Sequence, residues 1–153
     1  MNRILVLLMV LSGIIFHIPV QASEISINGV PVILEGDRLS IDGVNIRLYG
    51  IDAPEFGEIC SGNNLSFDCG LISRAGLMDL VAGGGAITCT TKSSNSGGDM
   101  VAQCRDGEGF DLSAQMLYTG WATAIPDLEP DYRELELKSR AAGRGMWRTT
   151  VTP

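Results

Sequence analysis

The chain has 153 residues, a length that fits one domain, and its 18 acidic against 11 basic residues give a net charge of −7. That balance argues against strong sequence-independent binding to nucleic acid, which depends on Lys and Arg neutralising phosphates, while leaving room for a local phosphate site that recruits a divalent cation. The one histidine, His17, lies in a segment expected to be removed.

Met1-Asn2-Arg3 carries one positive charge, Ile4 to Leu11 is continuously apolar, and Pro19-Val20-Gln21-Ala22 ends in a small-residue cleavage pattern. These are the three regions of a secretory signal peptide, with the cut expected after Ala22. An uncleaved anchor fits less well, because Ser12-Gly13, His17 and Pro19 interrupt the apolar run short of a ~20-residue span. Residues 1–22 are thus a signal peptide and residues 23–153 one domain, periplasmic or secreted, with no stable membrane association after cleavage. The mature chain keeps 10 basic against 18 acidic residues, a charge of about −8. Without His17, Ser-His-Asp and Cys-His catalysts and imidazole zinc sites are excluded. Chemistry must then run on carboxylates, arginine, metal or water.

Ile25-Ser26-Ile27 and Val30 to Leu34 predict an opening strand, interrupted by Asn28-Gly29 and kept partly at an edge by Pro31. Leu39 and Ile41 lead into Asp42-Gly43, a two-residue hairpin signal. Val44, Ile46 and Leu48 then alternate with Asn45, Arg47 and Tyr49, the period of a half-buried strand that turns Arg47 away from the apolar side. Gly50 permits a bend and Pro54 stops the strand. Phe56 to Gly70 reads as a loop and Leu71 to Ala82 as a helix ended by Gly83-Gly84-Gly85. Ala86 to Thr91 and Asp99 to Cys104 read as paired strands around a Lys92–Gly98 loop. Asp111 is a natural N-cap for a helix from Leu112 to about Thr119, closed by Gly120. Trp121 to Ile125 is apolar packing, and Glu129-Pro130-Asp131 starts a last helix to about Ala142. Asp127 to Glu136 reads as a solvated acidic face. Composition and periodicity by themselves give an α+β chain.

Cys60, Cys69, Cys89 and Cys104 read first as disulfides in an exported chain. Cys60 and Cys69 bracket a short loop, and Cys89 and Cys104 lie on neighbouring strand-like runs, so the expected pairs are Cys60–Cys69 and Cys89–Cys104. A zinc site of four thiolates would want close C-x2-4-C spacing, and the gaps here are eight and fourteen residues.

Asp37, Arg47, Asp52 and Glu55 fall within nineteen positions. Phosphodiester hydrolysis needs charge neutralised on the phosphoryl oxygens, a positioned water and a base. Aspartates with backbone carbonyls suit a hard cation such as Ca²⁺, an arginine grips phosphate bidentately, and a glutamate can serve as base. The plain alternative is that the aspartates cap turns and Arg47 makes an ordinary surface pair.

Gly36-Asp37 and Ile46-Arg47-Leu48-Tyr49-Gly50-Ile51-Asp52-Ala53-Pro54-Glu55 resemble the staphylococcal nuclease (thermonuclease) family. Weaker echoes at Val101-Ala102-Gln103-Cys104, Asp111-Leu112, Gly120-Trp121-Ala122 and Gly145-Met146-Trp147 extend the resemblance over roughly residues 25 to 148. It implies an OB-fold, a five-stranded Greek-key β-barrel with about three helices. It also implies Ca²⁺ held by the carboxylates of Asp37 and Asp52 and the carbonyl of Ala53, with Arg47 on the scissile phosphate and Glu55 activating water. The implied substrate is nucleic acid, DNA or RNA, preferably single-stranded, and the implied state is a monomer.

Three departures matter. The family usually has Thr where Ala53 and Arg38 stand; a carbonyl ligand survives the first change, while Arg38 either pairs with Asp37 or adds a phosphate contact. The family's Tyr-Gly-Arg before Val101-Ala102 reads Gly97-Gly98-Asp99, so its second catalytic arginine is an aspartate. Such arginines are worth ~10³–10⁵ in rate, roughly 4–7 kcal/mol. The expected function is therefore a Ca²⁺-dependent endonuclease weakened at that position. The alternatives are an inactive OB-fold module that binds oligonucleotide, oligosaccharide or protein in the cell envelope, and a structural or assembly role there.

Overall fold

The alternation around Asp42-Gly43 folds as a hairpin. β3 (Arg38–Ile41) and β4 (Val44–Leu48) pair antiparallel, with Leu39 opposite Ile46 and Arg38 opposite Arg47. Leu39, Ile41, Ile46 and Leu48 are therefore buried together, while Arg38 and Arg47 share the other face. Asp42 and Gly43 both have positive φ, 50° and 82°, as a two-residue turn between twisted strands requires.

The computed structural model describes residues 24–62, 65–94 and 98–149; the expected signal peptide and Gly97 lie outside them. The opening strand is split at Val30-Pro31 into β1 (Ser26–Gly29) and β2 (Val32–Glu35). With β8 (Ile87–Ser94) and β9 (Met100–Arg105) these form a six-stranded sheet in the order β1-β8-β9-β4-β3-β2. Its pairs are antiparallel except β4 with β9, which run parallel. The outer strands β1 and β2 are consecutive pieces of one run of chain, so the sheet must curl back on itself. Beyond the bend at Gly50, β5 (Ile51–Asp52) leaves this sheet and pairs with β10 (Thr123–Ala124).

The helices start where side chains satisfy their first N–H groups. In α1 (Cys69–Leu80), Asp68 accepts from Leu71 N–H at 2.8 Å. In α2 (Leu112–Thr119), Asp111 accepts from Ser113 and Ala114, and Gly120 at φ 82° closes the last turn. α3 (Pro130–Ala141) opens on its proline. The result is an α+β fold: a curled half-barrel sheet with three α-helices among the described residues, around a core that includes Leu39, Ile46, Leu77, Leu112 and Met116.

Several expectations need correction. Asn28-Gly29 does not interrupt the opening strand but pairs with β8 as the end of β1, and Lys92 to Ser94, read as the start of a loop, continue β8. The segment read as a loop from Phe56 to Gly70 contains a hairpin, β6 (Ile59–Gly62) with β7 (Leu65–Asp68). The acidic face on α3 is not wholly solvated: Glu136 is 1% exposed. Its carboxylate accepts from Arg140 (2.6 and 2.8 Å), Arg133 (3.0 Å) and the Ala124 N–H of β10 (3.2 Å). Both expected disulfides, Cys60–Cys69 and Cys89–Cys104, are formed.

Candidate functional site

The site begins at the turn between β2 and β3. A side chain at Gly36 would bring its Cβ to 2.0 Å from Ser73 Oγ and 2.9 Å from Ala53 Cβ, so helix α1 packs directly on this turn and only glycine fits. Ser73 Oγ in turn donates to the Trp121 carbonyl at 2.7 Å. Leu48 N–H donates to the Asp37 carbonyl at 2.8 Å, tying the turn to the end of β4. These contacts hold Asp37 at 3% exposure. Burial pushes its pKa above 3.8, outweighing the opposing pull of Arg47 and, more weakly, Arg38.

Arg47 projects from β4 into this environment. Its Nε donates to Asp37 Oδ2 at 3.0 Å and its Nη2 to Asp52 Oδ1 at 2.5 Å. Asp52 sits on β5, where its carbonyl accepts from Thr123 Oγ1 at 3.1 Å, and its side chain is 61% exposed. One guanidinium thus bridges a buried and an exposed carboxylate. Ala53 follows directly and is buried.

Glu55 is exposed and lies on the turn beyond Pro54. Its backbone is fixed on both sides: its N–H donates to Glu58 Oε2 at 3.2 Å and its carbonyl accepts from Glu58 N–H at 2.9 Å. A Cβ at Gly70 would lie 1.8 Å from the Glu55 carbonyl oxygen, so the turn is pressed against the start of α1. No hydrogen bond or ion pair reaches the Glu55 carboxylate from the described residues.

Arg38, left open between two roles by sequence, does not bond to Asp37; its Nε lies 3.3 Å from Glu35 Oε2. Asp99 lines a cleft of about 300 Å³ with Arg38, Asn45 and Arg74. Arg74, on α1, was not singled out by sequence, and the only signal would have been its place on a helix that packs against β2.

The donors at Asp37, Asp52 and Ala53 are oxygens, which suits a hard cation, and each aspartate keeps one carboxylate oxygen that Arg47 does not engage. By donor type the residues fit Ca²⁺. No group of three or more His, Cys, Asp or Glu side chains able to hold a metal occurs among the described residues, so the third protein ligand would have to be a backbone carbonyl.

Two disulfides indicate an oxidising compartment. Among the described residues no helix is long and apolar enough to cross a membrane. No protein-family model matches the chain. It is similar to the succinoglycan biosynthesis protein ExoI of Rhizobium meliloti (strain 1021), 24% identical over 125 residues, which cover 78% of this chain and 64% of that protein. The chain thus spans less than two thirds of the length of this curated relative.

Proposed function

We propose that the chain is a thermonuclease-like phosphodiesterase of the periplasm or extracellular space that hydrolyses nucleic-acid phosphodiester bonds with Ca²⁺. One observation carries this reading: the Arg47 guanidinium is held between Asp37 and Asp52, with Glu55 a few residues beyond Asp52. The sheet supports the finer fold, because β1 and β2 counted as one bent strand leave five strands, the number in an OB-fold Greek-key barrel.

Asp37, Asp52 and the Ala53 carbonyl would hold Ca²⁺. When bound, that ion neutralises charge on the phosphoryl oxygens. Arg47 presents a planar donor fork to the same phosphate, and its outer Nη2 is the part released by a swing of exposed Asp52. The attacking water oxygen forms the new P–O bond, Glu55 takes its proton, and the ester oxygen leaves with a proton from solvent. Glu55 suits the task because its backbone is held while its carboxylate faces water. Single-stranded DNA or RNA is the expected substrate.

A non-catalytic binding module for oligonucleotide, oligosaccharide or protein is the second reading. It is favoured by Asp99, an acid where the resembled family has an arginine, and by the bonds that Arg47 already makes to two aspartates. The experiment is cleavage of denatured DNA by the purified mature protein with Ca²⁺ on the order of millimolar, against chelator and a Glu55→Gln variant. Chelator-sensitive cleavage lost in Glu55→Gln supports hydrolysis. Wild-type activity no greater than that of the variant favours the binding module, whose ligand class calorimetry with oligonucleotides and oligosaccharides would then identify.

A further inference from the structure

Glu58 holds the turn that carries Glu55. Its carboxylate accepts from Glu55 N–H at 3.2 Å, and its own N–H donates to the Glu55 carbonyl at 2.9 Å. The Glu58 carbonyl in turn accepts at 2.9 Å from the N–H of Cys69, the first residue of α1. Where Glu55 stands therefore follows from how the chain entering β6 lies on the start of α1.

Hydrogen bonds alone are a weak tether there. β6 and β7, four residues each, form a two-stranded sheet apart from the other two. A bare hairpin of that size is marginal in water, and Ile59 at its start is exposed, so little is gained by burial. The bonds between Glu55 and Glu58 lie on an exposed turn where water competes for them. On β7, Phe67 rests edge-on against Trp121, with ring centroids 6.5 Å apart. On β6 the anchor is Cys60, joined covalently to Cys69, which is fully buried.

We propose that the Cys60–Cys69 cystine is the positioning pair for Glu55. It clamps β6 to the buried first residue of α1 and, through Glu58, sets where the Glu55 carboxylate stands relative to Asp52 and Arg47. Its role in water activation rests on the nuclease reading; its role as a clamp on the turn does not. The other cystine, Cys89–Cys104, ties β8 to β9 inside the core, so the two bonds have separable tasks.

They also differ in access. Cys60 is partly exposed, whereas Cys89 and Cys104 are fully buried, so a thiol reaches the first cystine of the folded protein before the second. A dithiol opens it in two exchanges. One reagent thiolate bonds to the Cys60 sulfur and Cys69 leaves as a thiolate that takes a proton. The second reagent thiol then closes a cyclic disulfide and frees Cys60 as a thiol, so two electrons and two protons pass to the protein.

The test compares the wild-type mature chain, Cys60→Ala/Cys69→Ala, and wild type opened by dithiothreitol and then reoxidised, with thiol titration confirming that two cysteines are released. Amide hydrogen exchange reads the clamp. With the cystine open, the Glu58 amide and the amide at position 69 should exchange at least about tenfold faster, while Leu48 N–H of β4 keeps its wild-type rate. Ca²⁺-dependent cleavage of denatured DNA reads the positioning: kcat should fall at least about tenfold with KM within about twofold. Reoxidation should restore both. Unchanged exchange at positions 58 and 69 overturns the inference, as does faster exchange with kcat unchanged. Faster exchange throughout, Leu48 included, also overturns it, making the cystine an ordinary staple of the fold. Wild type that does not cleave DNA removes the nuclease reading, and the exchange difference alone then decides the clamp.

Discussion

Arg47 donates to Asp37 at 3.0 Å while Asp37 is only 3% exposed. Removing the arginine would strand a carboxylate that burial already disfavours as an ion. A fully buried pair broken in this way loses ~3–5 kcal/mol; Arg47 is 30% exposed on its side chain, so Arg47→Met is expected to lower stability by about 2 kcal/mol. Urea unfolding at neutral pH measures this. A loss within the scatter of ordinary surface substitutions would mean that the bond contributes nothing.

Asp99 lies in the cleft beside Arg38 and Arg74. If the cluster around Arg47 is a working site that lacks one positive charge, Asp99→Arg should raise the initial rate of DNA cleavage by at least about tenfold, a conservative fraction of what transition-state arginines supply. The readout is Ca²⁺-dependent cleavage compared with wild type. An unchanged rate would place the deficit elsewhere.

Glu136 joins α3 to β10 through one carboxylate that receives two arginines and the Ala124 N–H. Glu136→Leu keeps the volume but removes these charge-assisted bonds and leaves the buried Ala124 N–H unpaired, while the half-exposed Arg133 and Arg140 turn to water. The expected loss is about 3 kcal/mol, a fall in Tm of roughly 10 °C by scanning calorimetry. A change under about 2 °C would show that the α3 docking rests on apolar contact.

Asp106 accepts from the N–H groups of Phe110 (2.9 Å) and Glu108 (3.0 Å) and from the Gln115 amide (3.1 Å). Its slight burial, the largest single influence, raises its pKa, but these bonds together hold it below 3.8. A depressed folded-state pKa means that the ionised group stabilises the fold above the unfolded value and that this contribution fades as pH falls through the folded one. Wild type should therefore exceed Asp106→Asn in stability at about pH 6, and the gap should close below about pH 3.8. Urea midpoints across that range test the sign, and a gap that widens in acid would contradict it.

Features made by local chemistry were legible in the chain. The Asp42-Gly43 turn, the Asp111 and Gly120 caps and the strand bearing Arg47 each depend on residues a few positions apart. Both disulfides followed from placement in the chain, Cys89 and Cys104 on neighbouring strand-like runs and Cys60 and Cys69 at the two ends of a short segment. Arg47 and Asp37 meet because a short hairpin brings them together, so their convergence was also within reach. What escaped was one local hairpin hidden by its composition and two side chains whose partners come from distant packing. The Phe56–Gly70 segment looks like a loop because its composition is Ser-, Asn- and Gly-rich, yet the cystine from Cys60 to the first residue of α1 lies across a hairpin. Glu136 looks solvated because its neighbours are charged, and only the approach of β10 supplies its third donor. Arg74 gains meaning only when α1 lies against β2.

The pair Gly36-Asp37 reads in the chain as a single signature, yet its two letters answer to different demands. The glycine is dictated by how closely Ser73 passes, the aspartate by the guanidinium it meets. A homologue whose helix stood slightly farther off could keep the acid and discard the glycine without altering its chemistry. The converse exchange would leave a well-packed turn with nothing to offer a ligand, so searching for both letters together tests kinship of packing more stringently than kinship of activity.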